Sequence, residues 1–129
     1  MKPDTSLTER VIQCGFEVSN TLGVGFLESV YENALCIELL NQGIEFEQQK
    51  PVKVFYKNQL VGNYTADLVI EKKLLVELKV ASDIAINHRA QVMNYLKATK
   101  LCVALILNFG TSKLGVQRIV SQYNEAENI

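Results

Sequence analysis

Two β-rich runs joined by three charged residues limit most strongly what this chain can fold into. Residues 64–70 and residues 74–80 are rich in apolar and β-branched side chains. The intervening Glu71-Lys72-Lys73 is short and charged enough to form a hairpin turn. We therefore predict two antiparallel strands, in which Asp67 of the first lies beside Glu77 of the second.

The second of these strands carries two charges inside an apolar run. Alternation along the strand places Leu75, Glu77 and Lys79 on one face and the other apolar residues on the opposite face. A charged side chain in such a strand is costly unless it is paired, hydrogen-bonded or bound to a cation. One interpretation is a metal-dependent site. The other is an exposed ion pair of Glu77 with Lys79 on an edge strand, which would add little to stability.

Two carboxylates and an amine in this arrangement suit metal-dependent hydrolysis of phosphodiesters. Mg²⁺ prefers a shell of oxygens with one or two carboxylates, completed by water and phosphate oxygens. Asp67 and Glu77 can supply the carboxylates, and the backbone carbonyl of Leu78 can supply a further oxygen. A bound divalent ion lowers the pKa of a coordinated water and polarises the scissile phosphate. Lys79 would orient that water or stabilise charge on the phosphoryl oxygens.

Composition favours one cytoplasmic domain. With 129 residues, of which 48% are hydrophobic and 21% charged, we expect a single domain over residues 1–129 with an ordinary core. The three cysteines are far apart and lack C-x-x-C spacing, which argues against a disulfide framework or a zinc site. We expect no signal peptide, no transmembrane segment and no membrane partner.

Charge limits how this chain can meet nucleic acid. Its formal net charge of −1 provides no broad basic field, which argues against strong nonspecific DNA binding but leaves a local basic groove open. A chain of this length has little surface for substrate selection, so a homodimer or a partner in a larger complex would be a reasonable supplement.

The order of predicted elements is typical of an α/β fold. Helices are expected over residues 5–22, 26–42 and 84–99, and strands over residues 48–56, 60–70, 74–80, 101–107 and 116–120. The continuous apolar run 101–107 suits a strand that is covered on both faces.

Glu28 stands in the first turn of the second helix. A turn of 100° per residue places it on the apolar side, near Tyr31 and Leu35. It can be a third acidic residue of the site. It can equally be a helix-end effect, because the macrodipole favours a carboxylate at a helix N-terminus.

The third helix carries a polar stripe that includes His88, Gln91 and Tyr95, the last two at i, i+4 spacing. Such a stripe after the Glu-Leu-Lys strand can contact a phosphate backbone or position the lysine by hydrogen bonding. The alternative is a solvated helix face, which is favoured for His88 taken alone.

Together, Asp67, Glu77-Leu78-Lys79 and Gln91-x-x-x-Tyr95 resemble the PD-(D/E)xK nuclease superfamily, in its branch where a helical glutamate precedes the sheet. More narrowly, residues 25–35, Gly-Phe-Leu-Glu-Ser-Val-Tyr-Glu-Asn-Ala-Leu, resemble the signature of the GxxExxY family of small bacterial and archaeal proteins. The similarity runs from about residue 11 to residue 120. It implies a restriction-endonuclease-like core, with a central mixed β-sheet flanked by helices in α-β-β-β-α-β order.

The resemblance also implies roles and an activity. It assigns Glu28, Asp67 and Glu77 as metal-site acids, Lys79 as the catalytic lysine, and Gln91 with Tyr95 as the helix motif. Ala66 stands where the superfamily name has proline. The implied activity is a Mg²⁺- or Mn²⁺-dependent phosphodiesterase acting on DNA. The alternatives are a noncatalytic module that binds nucleic acid or protein, and a small subunit of a larger nuclease complex, because fold alone does not fix function.

Overall fold

A mixed β-sheet with helices on both faces organises the chain. The structure is a computed structural model that describes residues 5–121, with side chains from Ser6 onward. In chain order its elements are α1 (Thr5–Leu22), α2 (Glu28–Asn41), β1 (Phe46–Tyr56), β2 (Gln59–Ile70), β3 (Leu74–Lys79), α3 (Ile86–Thr99), β4 (Val103–Asn108) and β5 (Gly115–Val120). From α2 to β4 this is the predicted α-β-β-β-α-β order.

The strands lie side by side in sequence order, β1-β2-β3-β4-β5. All neighbouring pairs are antiparallel except β3 and β4, which run parallel. A parallel pair needs a long crossover connection, and α3 provides it. β3, which carries Glu77, is therefore the central strand of the described sheet. This position differs from the edge strand that one of the two interpretations expected.

The helices divide the core into two layers. α1 and α2 cover one sheet face, where Leu74, Val76 and Leu78 are buried. α3 covers the other face, where Leu75 packs with Val92. This is the alternation that the sequence predicts for β3. β4 contributes to both layers, which explains its uninterrupted apolar sequence.

Turns with left-handed backbone connect these elements. Gly23, with φ of +70°, donates its N–H to the Ser19 carbonyl at 2.9 Å and ends α1, and Gly25 follows with φ of +112°. Between β2 and β3, Glu71 and Lys72 have φ of +53° and +57°, which makes the predicted hairpin turn.

The cysteines and the helices bear on two expectations, namely free core thiols and no transmembrane segment. Cys14 and Cys36 are buried thiols, and burial raises the pKa of Cys36 to about 11, so it stays protonated. Among the helices of residues 5–121, none combines the length and apolar character of a membrane span.

Candidate active site at the open end of the β2–β3 ladder

The β2–β3 ladder stops at Leu68 opposite Val76, and two carboxylates continue the pairing. The N–H of Asp67 donates to Glu77 Oε2 at 2.8 Å. The N–H of Leu78 donates to Asp67 Oδ2, also at 2.8 Å. Side chains thus satisfy backbone donors that would otherwise need a strand partner. The hairpin places Asp67 beside Glu77 and fixes one oxygen of each carboxylate.

Glu77 does not form a surface ion pair. Its side chain is 8% exposed and lies on the central strand. Among the side chains of residues 6–121, the ion pair is the one between Lys50 and Glu47, and none joins Glu77 to Lys79. The interpretation as an exposed edge-strand pair is therefore wrong, and a buried carboxylate requires another explanation.

Burial raises the pKa of Glu77 to about 7. The neighbouring charge of Asp67 is the second cause of this raised pKa, and Glu28 adds a smaller contribution in the same direction. The hydrogen bond from the Asp67 N–H and the positive charge of Lys79 act in the opposite direction. Glu77 therefore ionises near neutral pH. An approaching positive charge would favour the ionised form.

The pKa values of Asp67 and Glu28 are also raised by burial and by neighbouring acids. Burial raises the pKa of Asp67, the N–H of Leu78 lowers it, and the charge of Glu32 raises it. Partial burial also raises the pKa of Glu28, and Asp67 is the next cause. The carboxylate of Glu28, at the first residue of α2, therefore lies within electrostatic reach of Asp67. Glu28 also stands at the N-terminus of α2, where the helix macrodipole favours a carboxylate.

Tyr31 holds the loop that presents Glu28. Its hydroxyl donates to the carbonyl of Gly23 at 2.6 Å and accepts from the N–H of Phe26 at 3.2 Å. The ring is fully buried and stacks on Phe109, with centroids 4.8 Å apart. The glutamate and the tyrosine of the resembled signature thus have different tasks, because one faces the acids and the other anchors the loop.

Sequence reasoning missed a second acid on α2. Glu32 is 6% exposed, and its carboxylate accepts from Gln48 Nε2 at 2.6 Å and from Gln49 Nε2 at 2.9 Å. Gln49 Nε2 also lies 3.5 Å from Asp67 Oδ1, so one amide bridges two acids. The position of Glu32, four residues after Glu28 and on the same helix face, was the available signal.

The backbone of Gln49 is unusual for a strand. Its φ is +53°, in the left-handed region that non-glycine residues enter at a cost of about 1 kcal/mol or more. Gln49 falls across from Asp67, between regular pairs of the β1–β2 ladder. This local distortion aims the side chain at both acids. No periodic pattern in the sequence indicates it.

The end of β4 fixes the segment that follows Lys79. The N–H of Phe109 donates to the Lys79 carbonyl at 2.8 Å. Asn108 Oδ1 accepts from the Ala81 N–H at 3.1 Å, and its Nδ2 donates to the Ala81 carbonyl at 3.0 Å. A Cβ on Gly110 would lie 2.3 Å from the backbone nitrogen of Ala81, so this approach requires glycine. Asn108 and Gly110 are supporting residues that sequence reasoning also missed.

On the α3 side, Tyr95 lies near the acids. Its ring stacks on Tyr64, with centroids 3.5 Å apart and planes at 11°. Burial and then the charge of Glu77 raise the pKa of both phenols, which places the two rings beside that carboxylate. The Tyr64 hydroxyl is buried and has no hydrogen-bond partner within the described part of the chain.

The remaining residues of the α3 stripe lie apart from the acids. Gln91 is exposed, and no hydrogen bond between described residues joins it to Lys79 or to an acid. His88 accepts at Nδ1 from the N–H of Ala85 at 3.4 Å, a contact at the start of the helix. The structure thus brings Tyr95 to the site, and leaves Gln91 and His88 on the surface around it.

The donor set fits a divalent ion held by two carboxylates. Asp67 and Glu77 each use one oxygen on a backbone N–H, and Leu78 directs its N–H, and with it its carbonyl, toward β2. The orphaned hydroxyl of Tyr64 marks a polar space beside Glu77. No three His, Cys, Asp or Glu side chains of the described residues converge enough to enclose a metal together. Mg²⁺ accepts two carboxylates with water completing its shell, so the fit does not need a third acid.

Comparison with known proteins supports the fold and identifies the superfamily. The crystal structure of SSO0001 superimposes with a TM-score of 0.60 at 16% identity, over 77% of this chain and 52% of that chain. The chain thus spans about half the length of that structure, and the likeness supports a restriction-endonuclease-like core. The sequences of curated proteins contain no match. A family model described as the PD-(D/E)XK nuclease superfamily matches residues 5–119, and the chain therefore belongs to the PD-(D/E)XK nuclease superfamily.

Proposed function

We propose that this protein is a Mg²⁺- or Mn²⁺-dependent nuclease that hydrolyses phosphodiester bonds in DNA. The observation that carries the proposal is the reciprocal pair at the end of the ladder, where the backbone of each strand orients a carboxylate of the other. Membership in the superfamily supports a nuclease that acts on nucleic acid, and nucleases of this superfamily generally use divalent metals.

The proposed metal ligands are Asp67, Glu77 and the carbonyl of Leu78. When bound there, the ion would lower the pKa of a coordinated water and polarise the scissile phosphate. Lys79, at the end of β3, lowers the pKa of both acids and so lies within their electrostatic reach. We assign it the catalytic role of orienting the attacking water and offsetting charge on the phosphoryl oxygens.

The residues around this pair have supporting roles in the proposal. Glu28, partly exposed at the start of α2, would act on the ion through its water shell, in place of the direct ligation that the resemblance implies. Tyr95, with Tyr64, would limit water around Glu77. Gln91 is exposed and His88 is half-buried on α3, and contact with the phosphate backbone of a substrate is their proposed role.

The narrower assignment to the GxxExxY family is part of the proposal. The φ of +112° at Gly25 suits an obligatory glycine, Glu28 faces the acids, and Tyr31 anchors the loop between them. A single domain over residues 1–129, a cytoplasmic location, and a homodimer or partner subunit that widens the substrate surface likewise stay predictions.

Cleavage of end-labelled DNA tests the function. We expect wild-type protein to cut at least one of single-stranded, duplex or branched DNA with Mg²⁺ or Mn²⁺, and to lose this activity in EDTA. Lys79→Ala should reduce the rate at least about 100-fold, since it removes an electrostatic contact to the reacting phosphate. Lys97→Ala, at an exposed position of α3, is the matched control and should cut normally.

A noncatalytic module that retains this fold is the second candidate. Within residues 6–121, no three His, Cys, Asp or Glu side chains are placed to hold a metal together, which favours this candidate, as does the net charge of −1. Wild-type protein that binds nucleic acid but cuts none of the three substrates with either metal would establish this candidate and exclude the nuclease.

A further inference from the structure

The hairpin of β1 and β2 extends beyond the rest of the sheet. β2 pairs with β3 only from Leu68 to Ile70, whereas its pairing with β1 continues to the hairpin turn at Lys57 and Asn58. Residues 51–66 therefore form a two-stranded arm, which ends at Asp67. Because a strand rises about 3.3 Å per residue, Val61 near its tip lies about 20 Å along the strand from Asp67.

One face of the arm is covered and the other is exposed. Val52 and Tyr64 pack under α3. Since neighbouring residues of a strand point to opposite faces, the residues that alternate with Val52 along β1 and with Tyr64 along β2 point away from α3. These outward residues, which face one another across the β1–β2 register, are all exposed: Pro51, Lys53, Phe55, Leu60, Asn63 and Thr65. The exposed face continues the sheet face that α2 covers further along, so it adjoins the end of α2 where Glu28 stands.

The arm is basic although the whole chain is not. Residues 51–66 contain Lys53 and Lys57 and no acidic residue, while the chain carries a net charge of −1. Lys50, just before the arm, is already paired with Glu47 at 2.7 Å. The two lysines of the arm are thus a local positive charge beside a cluster of acids.

Exposed aromatic rings accompany these lysines. Phe55 is 60% exposed and Tyr56 is 62% exposed, and the Lys57 ammonium lies 5.4 Å from the centroid of the Tyr56 ring. Rings that accept stacked bases, combined with lysines that follow the phosphates, are how proteins bind single-stranded nucleic acid without sequence preference. Phe55 and Tyr56 are successive residues at the end of β1, so Phe55 lies on the outward face and Tyr56 on the opposite side of the arm, beside Lys57. Both rings lie at the tip of the arm, whose second strand, β2, leads to Asp67.

We propose that the arm binds a single-stranded segment of nucleic acid and leads it to the acids at Asp67 and Glu77. This inference rests on the proposed nuclease function and names the part of the surface that holds its substrate. A second copy of the chain is the less suitable occupant. A two-fold contact through the arm would bring Lys53 and Lys57 toward their own copies, with no acid in the arm to pair with them.

Fluorescence anisotropy in EDTA tests the arm separately from cleavage. The probe is a short fluorescein-labelled DNA strand of mixed sequence, alone or annealed to its complement. We expect wild-type protein to bind the single strand more tightly than the duplex. The variant Lys53→Gln with Lys57→Gln should bind the single strand at least tenfold more weakly, and its slope of log affinity against log salt should fall by about 1.4 for two lost phosphate contacts.

Lys72→Gln with Lys97→Gln is the matched control. It changes net charge equally, and Lys72, like Lys57, has positive φ in a hairpin turn, but it follows the opposite end of β2. This control should bind as wild type does. Equal binding by both double variants, or no binding by wild-type protein, would overturn the proposal.

Phe55→Ala with Tyr56→Ala tests the stacking, and we expect about tenfold weaker binding of the single strand. Unchanged affinity would contradict a stacking role, and a concentration-dependent dimer that only this variant loses would assign the arm to a second copy. Failure of the nuclease proposal is recognised separately, as DNA that binds to the arm in EDTA but is not cut with Mg²⁺ or Mn²⁺.

Discussion

Asp67 donates its backbone N–H to the carboxylate of Glu77 at 2.8 Å, and its own carboxylate accepts from the residue that follows Glu77. At this position, hydrogen bonds from backbone N–H groups to side-chain carboxylates replace the backbone–backbone bonds between β2 and β3. The arrangement keeps two like charges together in a buried place, which is costly without a cation. The energetic consequences can be measured on the protein without substrate.

Glu77→Gln should stabilise the metal-free protein at alkaline pH. The pKa of Glu77 rises from an ordinary 4.5 to about 7, so the folded state retains a proton that the unfolded state releases. Stability from this residue is therefore lost as pH rises from about 4.5 through about 7, by up to about 3 kcal/mol. Urea unfolding in EDTA at about pH 8 should show most of this gain in Glu77→Gln, and at about pH 4 the gain should vanish. The exposed Glu9→Gln is the control, and a gain equal at both pH values would contradict the assignment.

Gln49→Gly should slow cleavage while keeping the backbone conformation of β1. The substitution removes the amide that bridges Glu32 and Asp67, but it suits the φ of +53° at this position. Loss of a residue that orients a metal ligand costs about 10- to 100-fold in activity. Because the Gln49 hydrogen bond lowers the pKa of Asp67, the acid limb of the pH–rate profile should also move to higher pH.

Gln48→Ala is the comparison for Gln49→Gly. Gln48 holds Glu32 at 2.6 Å but makes no hydrogen bond to Asp67 among the described residues. Its loss should leave the acid limb in place. If both variants shift the limb equally, the bridge to Asp67 is not what positions the site.

Tyr31→Phe should loosen the loop that carries Glu28. The change leaves the Gly23 carbonyl and the Phe26 N–H without the hydroxyl that joins them. We expect the free energy of unfolding to fall by about 1–2 kcal/mol, and cleavage to slow because Glu28 is less well placed. Tyr56→Phe removes the same group from an exposed ring and should leave the free energy of unfolding unchanged. Equal effects of the two substitutions in urea unfolding would argue against an anchor at Tyr31.

Gly110→Ala should disturb the segment after Lys79. The new Cβ would meet the nitrogen and oxygen of Ala81 at 2.3 and 2.4 Å, and backbone atoms cannot rotate away. We expect a loss of about 1–3 kcal/mol, together with reduced cleavage. Gly62→Ala meets no atom within 4 Å and should be neutral by thermal unfolding. A fully stable and active Gly110→Ala would show that this close approach does not support Lys79.

Local patterns predict much of this fold correctly. The hairpin of β2 and β3, its turn at Glu71 and Lys72, and the two faces of β3 follow from alternation and turn chemistry, which act over a few residues. The apolar run of β4 indicates a strand buried on both faces for the same reason. Element ends are less well predicted. α3 begins at Ile86 where the pattern indicates residue 84, because its first turn is closed by His88 and not by a strong cap.

Features that depend on distant contacts escape the sequence pattern. Glu32 is a charged residue among apolar neighbours, and only the two glutamines of β1 make its burial tolerable. Gln49 lies in a strand with left-handed backbone, which neither propensity nor periodicity indicates. Asn108 resembles an ordinary strand end until β4 meets the segment after β3. The sequence left the role of Glu28 open between two interpretations, because a glutamate is equally suited to the first turn of a helix and to an acidic site.

A crystal structure with Mn²⁺, located by its anomalous scattering, tests the central claim most directly. We predict one Mn²⁺ ion bound by an oxygen of Asp67 and an oxygen of Glu77, each at about 2.2 Å, with the Leu78 carbonyl as a further ligand and Glu28 outside direct contact. Asp67→Asn crystals treated in the same way should lose this ion. Saturating Mn²⁺ that leaves no anomalous peak between Asp67 and Glu77, or a peak only at other acids, would contradict the account.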